Sequence, residues 1–390
     1  MPKPPYPLAD GGCVAMANSM MVWKKAGLDV HVFCLSTPKH PFQPDAFPKE
    51  WQVGLNLFHQ YVDTGVKLSH LPFIIFSSKS YQAHRFFNKE AAKKIQSLLH
   101  KYSYDMMLFD SLYAAIYLPE IKKIFNGKIF LRSHNMEHEI WRTLRLKERN
   151  PLKRMLMLHE TNRLKKWEES IYQQVDGIFT ITPDDEKNTR NLAPHTFITH
   201  LPVSISIKSH QKIRSLHLPL RLFHLGAMNW EPNQDAIRWF VNEWFPKIHQ
   251  QFPDITFHFA GKGMPKEFLE LKSNNVFCYG EVPDASSFML QYDVLVVPLR
   301  HGSGLRIKIL EAMALGIPVI STRKGAGGMP VTHGENILLA DDPESCCEAV
   351  AQLMHTPGLY EHLSQQGKMF IRKHYSQETC VSIIHSVTKV

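Results

Sequence analysis

In the stretch GSGLRIKILEAMALGIPVIST, residues 302 to 322, two cations stand where the first turn of a helix ordinarily carries acids. Ser303, between Gly302 and Gly304, occupies the position of an N-cap, and Leu305, Ile309, Ala312 and Met313 follow the spacing of a core-facing helix. Arg306 then falls three residues after the cap, where a capping box would place Glu, with Lys308 beyond it. Fixed cations at the positive end of a helix dipole are unfavourable by about 0.3–1 kcal/mol each, so an anion belongs there. A nucleoside diphosphate accounts for all of these residues together. The glycines let backbone approach closely, free N–H groups meet phosphate, Arg306 or Lys308 neutralises it, and Glu311 one turn deeper accepts from ribose hydroxyls. The competing reading is a surface ion pair between Lys308 and Glu311 at i, i+3 spacing, worth a few tenths of a kcal/mol. It leaves Arg306 and the Gly-Ser-Gly turn without a purpose.

A second constellation, HNMEH at residues 134 to 138, fits the H-x-x-E-H pattern of zinc peptidases, with His134 and His138 as ligands and Glu137 as base. Such a site needs both imidazoles on one helix, and His134 directly follows the strand-like KIFLRS. Other matches fail on spacing. AGKGMP lacks the Walker pattern, and no D-x-D occurs, so no metal and no separate cofactor are expected. The six cysteines include no C-x-x-C and have no scaffold density, which suits a reducing compartment. The adjacent Cys346 and Cys347 read as helix packing.

These residues need elements to hold them. Short apolar runs, DVHVFCL, YDMMLF, KIFLRS and DGIFTIT, then RLFHLG, ITFHFAG, NVFCYG, YDVLVVPL and IPVIST, alternate with longer amphipathic segments. That alternation predicts βαβ units with parallel sheets. The chain has 390 residues, 44% hydrophobic and 21% charged, so it is expected to form two doubly wound Rossmann-like α/β domains. These are placed at 1–200 and 219–390 with a linker at 201–218, and the last helix is free to pack back on the first domain. Ligands of such sheets sit at the carboxyl ends of strands, and two facing domains would hold a ligand in the cleft between them. The turn ADGG comes only nine residues from Met1, and the prolines of PKPPYP cannot supply a strand ahead of it. The first domain is therefore expected to lack its usual first strand, or the chain start is truncated.

The formal charge is +9, which favours an acidic partner. Residues 141–170 concentrate it: WRTLRLKERNPLKRMLMLHETNRLKKWEES interleaves Arg and Lys with Trp, Met and Leu and suits an amphipathic helix broken near Pro151. An anionic membrane surface is one partner for this segment; a solvated helix face is the other reading. No nucleic-acid motif accompanies the charge. With no signal peptide and no run near the roughly 18 apolar residues of a membrane span, the expected location is cytoplasmic, peripheral at the inner face of the membrane.

Taken together, GSGLRIKILEAMALGIPVIST, FHLGAMNWEPNQDAIRWF, DVLVVPL, RSHNMEHEIWR and PYPLADGG resemble the family 4 glycosyltransferases, retaining enzymes of the GT-B fold. The resemblance implies transfer of a sugar from a nucleotide-sugar donor, held by the second domain, to a hydroxyl acceptor on a glycan or lipid-linked glycan. By the same resemblance Glu311 matches the second Glu of the E-x7-E motif and holds the ribose. The first Glu is replaced by Ser303, so contacts to the donor sugar fall to Ser303 and backbone N–H groups, including those of Gly302 and Gly304. Relatives carry Arg and Lys for the diphosphate in the loop after the first strand of the second domain. Here that loop is GAMNWEPNQ, and Arg306 and Lys308 are the available substitutes. His134 matches a His that contacts the donor sugar near the reacting carbon, and Gly11 and Gly12 match the turn that approaches phosphates and acceptor. A non-catalytic nucleotide-sugar-binding or scaffold protein of the same fold is the alternative.

Overall fold

The computed structural model describes residues 1–8, 10–49, 56–205, 214–271, 273, 275–302 and 304–388. They form two α/β units, Met1–Val203 with Ile383–Val390, and Ser204–Ser382. Of the segment expected as a linker, 201–218, residues 206–213 lie outside the described residues.

The first unit opens with α1 (Gly11–Lys25), capped by the Asp10 carboxylate, which accepts from Cys13 N at 2.9 Å. Two parallel strands follow, β1 (His31–Ser36) and β2 (Asn56–Tyr61). After α2 (Leu71–Phe76), α3 (Tyr81–His84) and α4 (Lys89–Lys101) come β3 (Met106–Asp110) and β4 (Lys128–Ser133). Next are the helices α5 (Glu137–Lys147) and α6 (Pro151–Tyr172), then β5 (Gly177–Thr180) and β6 (Phe197–His200). The basic segment breaks where Asn150 caps α6 and Pro151 occupies its first turn, a position that needs no N–H donor. Strands β3 to β6 form one parallel sheet in sequence order, while β1 and β2 form another. No strand precedes α1 among the described residues. Met1 instead makes a single parallel rung beside β1: its nitrogen donates to Phe33 O at 2.9 Å and its carbonyl accepts from Leu35 N at 3.1 Å. Val32 and Leu35 of β1 face Leu108 and Phe109 of β3 across a cavity of about 160 Å³.

The second unit contains β7 (Arg221–Leu225), α7 (Glu231–Trp239), β8 (Thr256–Ala260), β9 (Val276–Cys278) and β10 (Val294–Val297). It continues through α8 (Ile307–Ala314), β11 (Val319–Ser321), β12 (Leu338–Leu339), α9 (Leu359–Tyr375) and α10 (Gln377–Thr388). All strands are parallel, in the order β12-β11-β10-β7-β8-β9. Alternate residues serve opposite faces, as a pleated strand requires. Phe223, Leu225, Leu295 and Val297 enter one core, and Leu222, Val294 and Val296 the other. Both faces are thus covered, which explains strands that read as unbroken apolar runs. The chain leaves β7 in one direction and returns to its other side at β10, making β7 and β10 a topological switch point, where open α/β sheets bind ligands. The residues from Ile383 onward belong to the first unit, with His385 Nε2 bonded to Ala26 O at 2.9 Å.

Candidate functional site

The loop leaving β10 and the helix α8 that follows carry the residues singled out between 302 and 311, and the loop leaving β7 packs against them. Gly302 and Gly304 have φ of +111° and +83°, values that exclude a right-handed helical turn, so the helix cannot start at 303. It begins at Ile307 with Arg306 as its N-cap, at φ −90° and ψ 85°, and no side-chain cap. The expected N-cap, Ser303, lies outside the described residues. The capping-box reasoning therefore fails in detail: Arg306 precedes the helix, and Lys308 is the cation in its first turn.

Arg306 is 6% exposed. Its Nη1 donates to Gly304 O at 2.6 Å and its guanidinium lies 5.2 Å from the ring centre of Trp230. A Cβ on Gly302 would stand 2.9 Å from both Arg306 Nη2 and Trp230, so the glycine makes room for this stack. Burial lowers the Arg306 pKa to about 10. Lys308 does not pair with Glu311. Its Nζ donates to His224 Nε2 at 3.0 Å and to Asn233 Oδ1 at 3.1 Å. His224 is fully buried and its Nδ1 lies 2.8 Å from Val296 O; a carbonyl only accepts, so Nδ1 carries the proton and Nε2 is the acceptor. Both neighbours of the ammonium are thus neutral. Burial, with Arg306 nearby, lowers the Lys308 pKa to about 7. Any side chain at Gly226 would collide with Lys308 Nζ, so this glycine at the end of β7 lets the lysine reach across from the first turn of α8. The Glu311 carboxyl makes no hydrogen bond or ion pair among the described residues, and burial raises its pKa to about 7 against the opposing effect of Lys308. The surface ion-pair reading is overturned: the lysine points inward across the switch point, where a phosphate would find a cation with no carboxylate already on it.

In the first unit, His134 follows β4 and its Nε2 lies 2.5 Å from Asp110 Oδ1 at the end of β3. The register of the two strands sets Asp110 opposite Arg132, two residues before the histidine. Asp110 is 2% exposed. Burial alone would raise its pKa, but the His134 hydrogen bond and the nearby His134 and Arg132 outweigh burial and hold it below the ordinary value. The next residue, Ser111, has φ of +104°, rare for a side-chain-bearing residue and a local strain of the kind concentrated at functional sites.

The HNMEH pattern does not assemble as a peptidase site. His134 lies before α5 and is bonded to Asp110, whereas His138 lies on α5 with Nδ1 2.7 Å from Glu168 Oε2. Glu168 is fully buried and also accepts from the backbone N–H of Glu137 and His138, capping the helix from outside. Glu137 accepts from Tyr113 Oη at 3.0 Å, and burial next to Glu168 raises its pKa to about 7. Gly11 and Gly12, expected in a turn, form the first turn of α1. Asp10 ahead of them binds Lys3 Nζ at 2.5 and 2.7 Å and lies 3.1 Å from His40 Nε2. Asp10, Cys13 and His40 are the one group of potential metal ligands among the described residues; the Lys3 ammonium already engages both Asp10 oxygens. Asp110, His224, Trp230 and Glu168 had not been singled out. A carboxylate ending a predicted strand was the available signal for Asp110, and His224 inside RLFHL offered none.

The fold is GT-B, shared along nearly the whole chain with solved glycosyltransferases, and residues 219–356 of the second unit match the family described as Glycosyl transferases group 1. Sucrose-phosphate synthase from Thermosynechococcus elongatus superposes with a TM-score of 0.67 at 15% identity, covering 98% of this chain and 93% of that one. HepE from Anabaena in complex with UDP superposes with a TM-score of 0.64 at 11% identity, covering 96% of each chain. In sequence, an uncharacterized 44.6 kDa protein in the cps region of Klebsiella pneumoniae is 24% identical over 291 residues, 72% of this chain and 73% of that protein.

Proposed function

We propose that the protein is a retaining family 4 glycosyltransferase of hexosyl type, acting in polysaccharide biosynthesis at the cytoplasmic face of a membrane. The observation that carries this reading is Lys308, whose buried ammonium rests between two neutral acceptors at the switch point of a glycosyl transferases group 1 domain. Arg306 and Lys308 meet the donor diphosphate, the backbone of Gly302, Ser303 and Gly304 approaches it, and Glu311 accepts from the ribose. HepE, solved with UDP-glucose, and the cps-region relative support a nucleotide-sugar donor and a polysaccharide setting.

In the reaction, the bond between the sugar's C1 and the diphosphate oxygen breaks, and the acceptor oxygen bonds to C1 on the same face. The acceptor's proton passes to the leaving phosphate. No metal is required, because the two cations meet the charge of the leaving group. His134, oriented by Asp110, positions and polarises the reacting sugar, and Gly11 and Gly12 border the acceptor. That acceptor is a hydroxyl on a glycan or lipid-linked glycan, met at an anionic membrane surface through residues 141–170.

The test is calorimetric titration of UDP, GDP and ADP and the matching nucleosides, followed by NMR of the product formed from the preferred nucleotide sugar. The expected result is one preferred base, with the diphosphate bound at least tenfold more tightly than the nucleoside, and a product that keeps the donor's anomeric configuration. Equal affinity for nucleoside and diphosphate refutes the site. Binding without hydrolysis or transfer would make the protein a non-catalytic nucleotide-sugar binder.

A further inference from the structure

The basic segment does not stand alone on its side of the first unit. The short helix α2, sequence LPFIIF, turns Phe73 and Ile74 inward, with the Phe73 ring 4.6 Å from that of His84 in a stack. It leaves Leu71 46%, Ile75 48% and Phe76 84% exposed. Nothing in its own sequence explains why so apolar a helix is held at the surface, yet α6 pins it there with two charged side chains. Arg163 donates to the carbonyls of Ile74 and Ser77, both at 2.6 Å. The carboxylate of Glu160 accepts from Ser80 Oγ at 2.5 Å, Tyr81 N at 3.1 Å and Gln82 N at 3.0 Å, which fixes the start of α3 behind α2. Glu160 is 5% exposed, so the clamp is part of the fold.

The same helix α6 begins, about 12–18 Å before Arg163 at 1.5 Å per residue, in a tip whose residues 151 to 155 are all exposed. The tip joins α5 to α6 and exposes Leu144, Leu146, Leu152 and Met155. Between residues 142 and 154 it carries six Arg and Lys against one acid, Glu148, which is bound to Lys153. Apolar side chains interleaved with cations in excess over acids complement one surface above others, a bilayer with anionic headgroups. A protein partner would match the apolar residues but has no need of so uniform a charge, and a nucleic acid would match the charge but not α2.

We infer that α2 is a membrane-inserting element: Leu71, Ile75 and Phe76 enter the acyl boundary of an anionic bilayer while the α5–α6 tip binds its headgroups. This rests on the membrane partner proposed above and extends it to a helix outside the basic segment.

The experiment uses the full chain with phosphatidylglycerol and phosphatidylcholine vesicles and no nucleotide. The wild type is expected to bind the former and not the latter. Ile75→Asp with Phe76→Asp should weaken binding at least tenfold with an unchanged melting curve, since both side chains are exposed. Reversal of Arg149, Lys153 and Arg154 to Glu should weaken it similarly and remove its dependence on salt. Phe76→Trp, which keeps an aromatic ring, should add a fluorescence component that shifts blue on the anionic vesicles and is quenched by brominated lipid. Absence of that shift and quenching, or full binding by the Asp variant, overturns insertion by α2 while leaving the headgroup contact standing. No binding of either vesicle by the wild type overturns both, and glycosyl transfer is then judged by the nucleotide titrations alone.

Discussion

Lys308 is the residue whose charge a phosphate would control. Its pKa is lowered to about 7 from an ordinary 10.5, so between those values the unfolded chain holds more protons and stability of the ligand-free protein should rise with pH. Glu311, raised to about 7 from 4.5, acts oppositely, and stability should fall between pH 4.5 and 7. Chemical denaturation across this range should therefore show a minimum near neutrality, shallower with nucleoside diphosphate bound. Above pH 7.5 the phosphate's own second ionisation, near pH 6, is complete. Preference for diphosphate over nucleoside should then decline with pH in the wild type and stay flat in Lys308→Met. That variant should also melt higher by the equivalent of about 0.5–2 kcal/mol, as expected when function retains a destabilising group. Lower stability together with unchanged diphosphate affinity would make the lysine merely structural. In the first unit, Asp110→Asn and His134→Ala should each lower kcat by roughly tenfold to a hundredfold through misplacement, with nucleotide affinity held within about twofold. The two cations stand out in the sequence because their residue types contradict a helix start, whereas Glu311 is reached through its place one turn deeper and the family motif. The partners of Lys308 do not stand out, because His224 and Asn233 reach it from 84 and 75 residues away, a pairing that only the strand order creates.

At the scale of elements, most buried strands of both units could be read from their apolar runs, and the fold class followed from their alternation with helices. Three strands escaped that reading for physical reasons. β2, NLFHQY, mixes polar residues into an edge position; β6, FITH, has four residues beside the expected linker; β12 has two. The helix start at Ser303 was misplaced because glycine tolerates either sign of φ, so sequence could not reveal that two flanking glycines adopt positive values. This separates two kinds of glycine. At Gly334, φ is +76° and no atom lies within 4 Å of an added Cβ, so Gly334→Ala should cost only the backbone term, about 1–2 kcal/mol, and leave nucleotide binding intact. At Gly302 the added methyl also displaces Arg306 and Trp230. Gly302→Ala should therefore destabilise more and weaken diphosphate binding at least tenfold, measured by melting and titration on the same samples. Equal behaviour of the two variants would contradict the role given to the stack.

For the whole molecule, two units with separate cores predict that ligand acts unequally on them. Scanning calorimetry should resolve two transitions, and nucleoside diphosphate at about 100 times its Kd should stabilise one of them by roughly 2.7 kcal/mol. A uniform shift of both would argue against a donor site confined to the second unit. The interruption in the first unit has a further consequence. β1 and β2 share a ladder with each other and none with β3 to β6; among the described residues the Met1 rung, the hydrogen bonds of His31 with Tyr104 and of Lys94 with His59 O, and side chains such as Leu35 in the common core tie them to their surroundings. A two-stranded ladder is marginal by itself, so its amides should exchange with solvent deuterium through a local opening that leaves β3 to β6 protected. The first unit would then consist of two cooperative blocks, the smaller of which opens and closes many times for each global unfolding event.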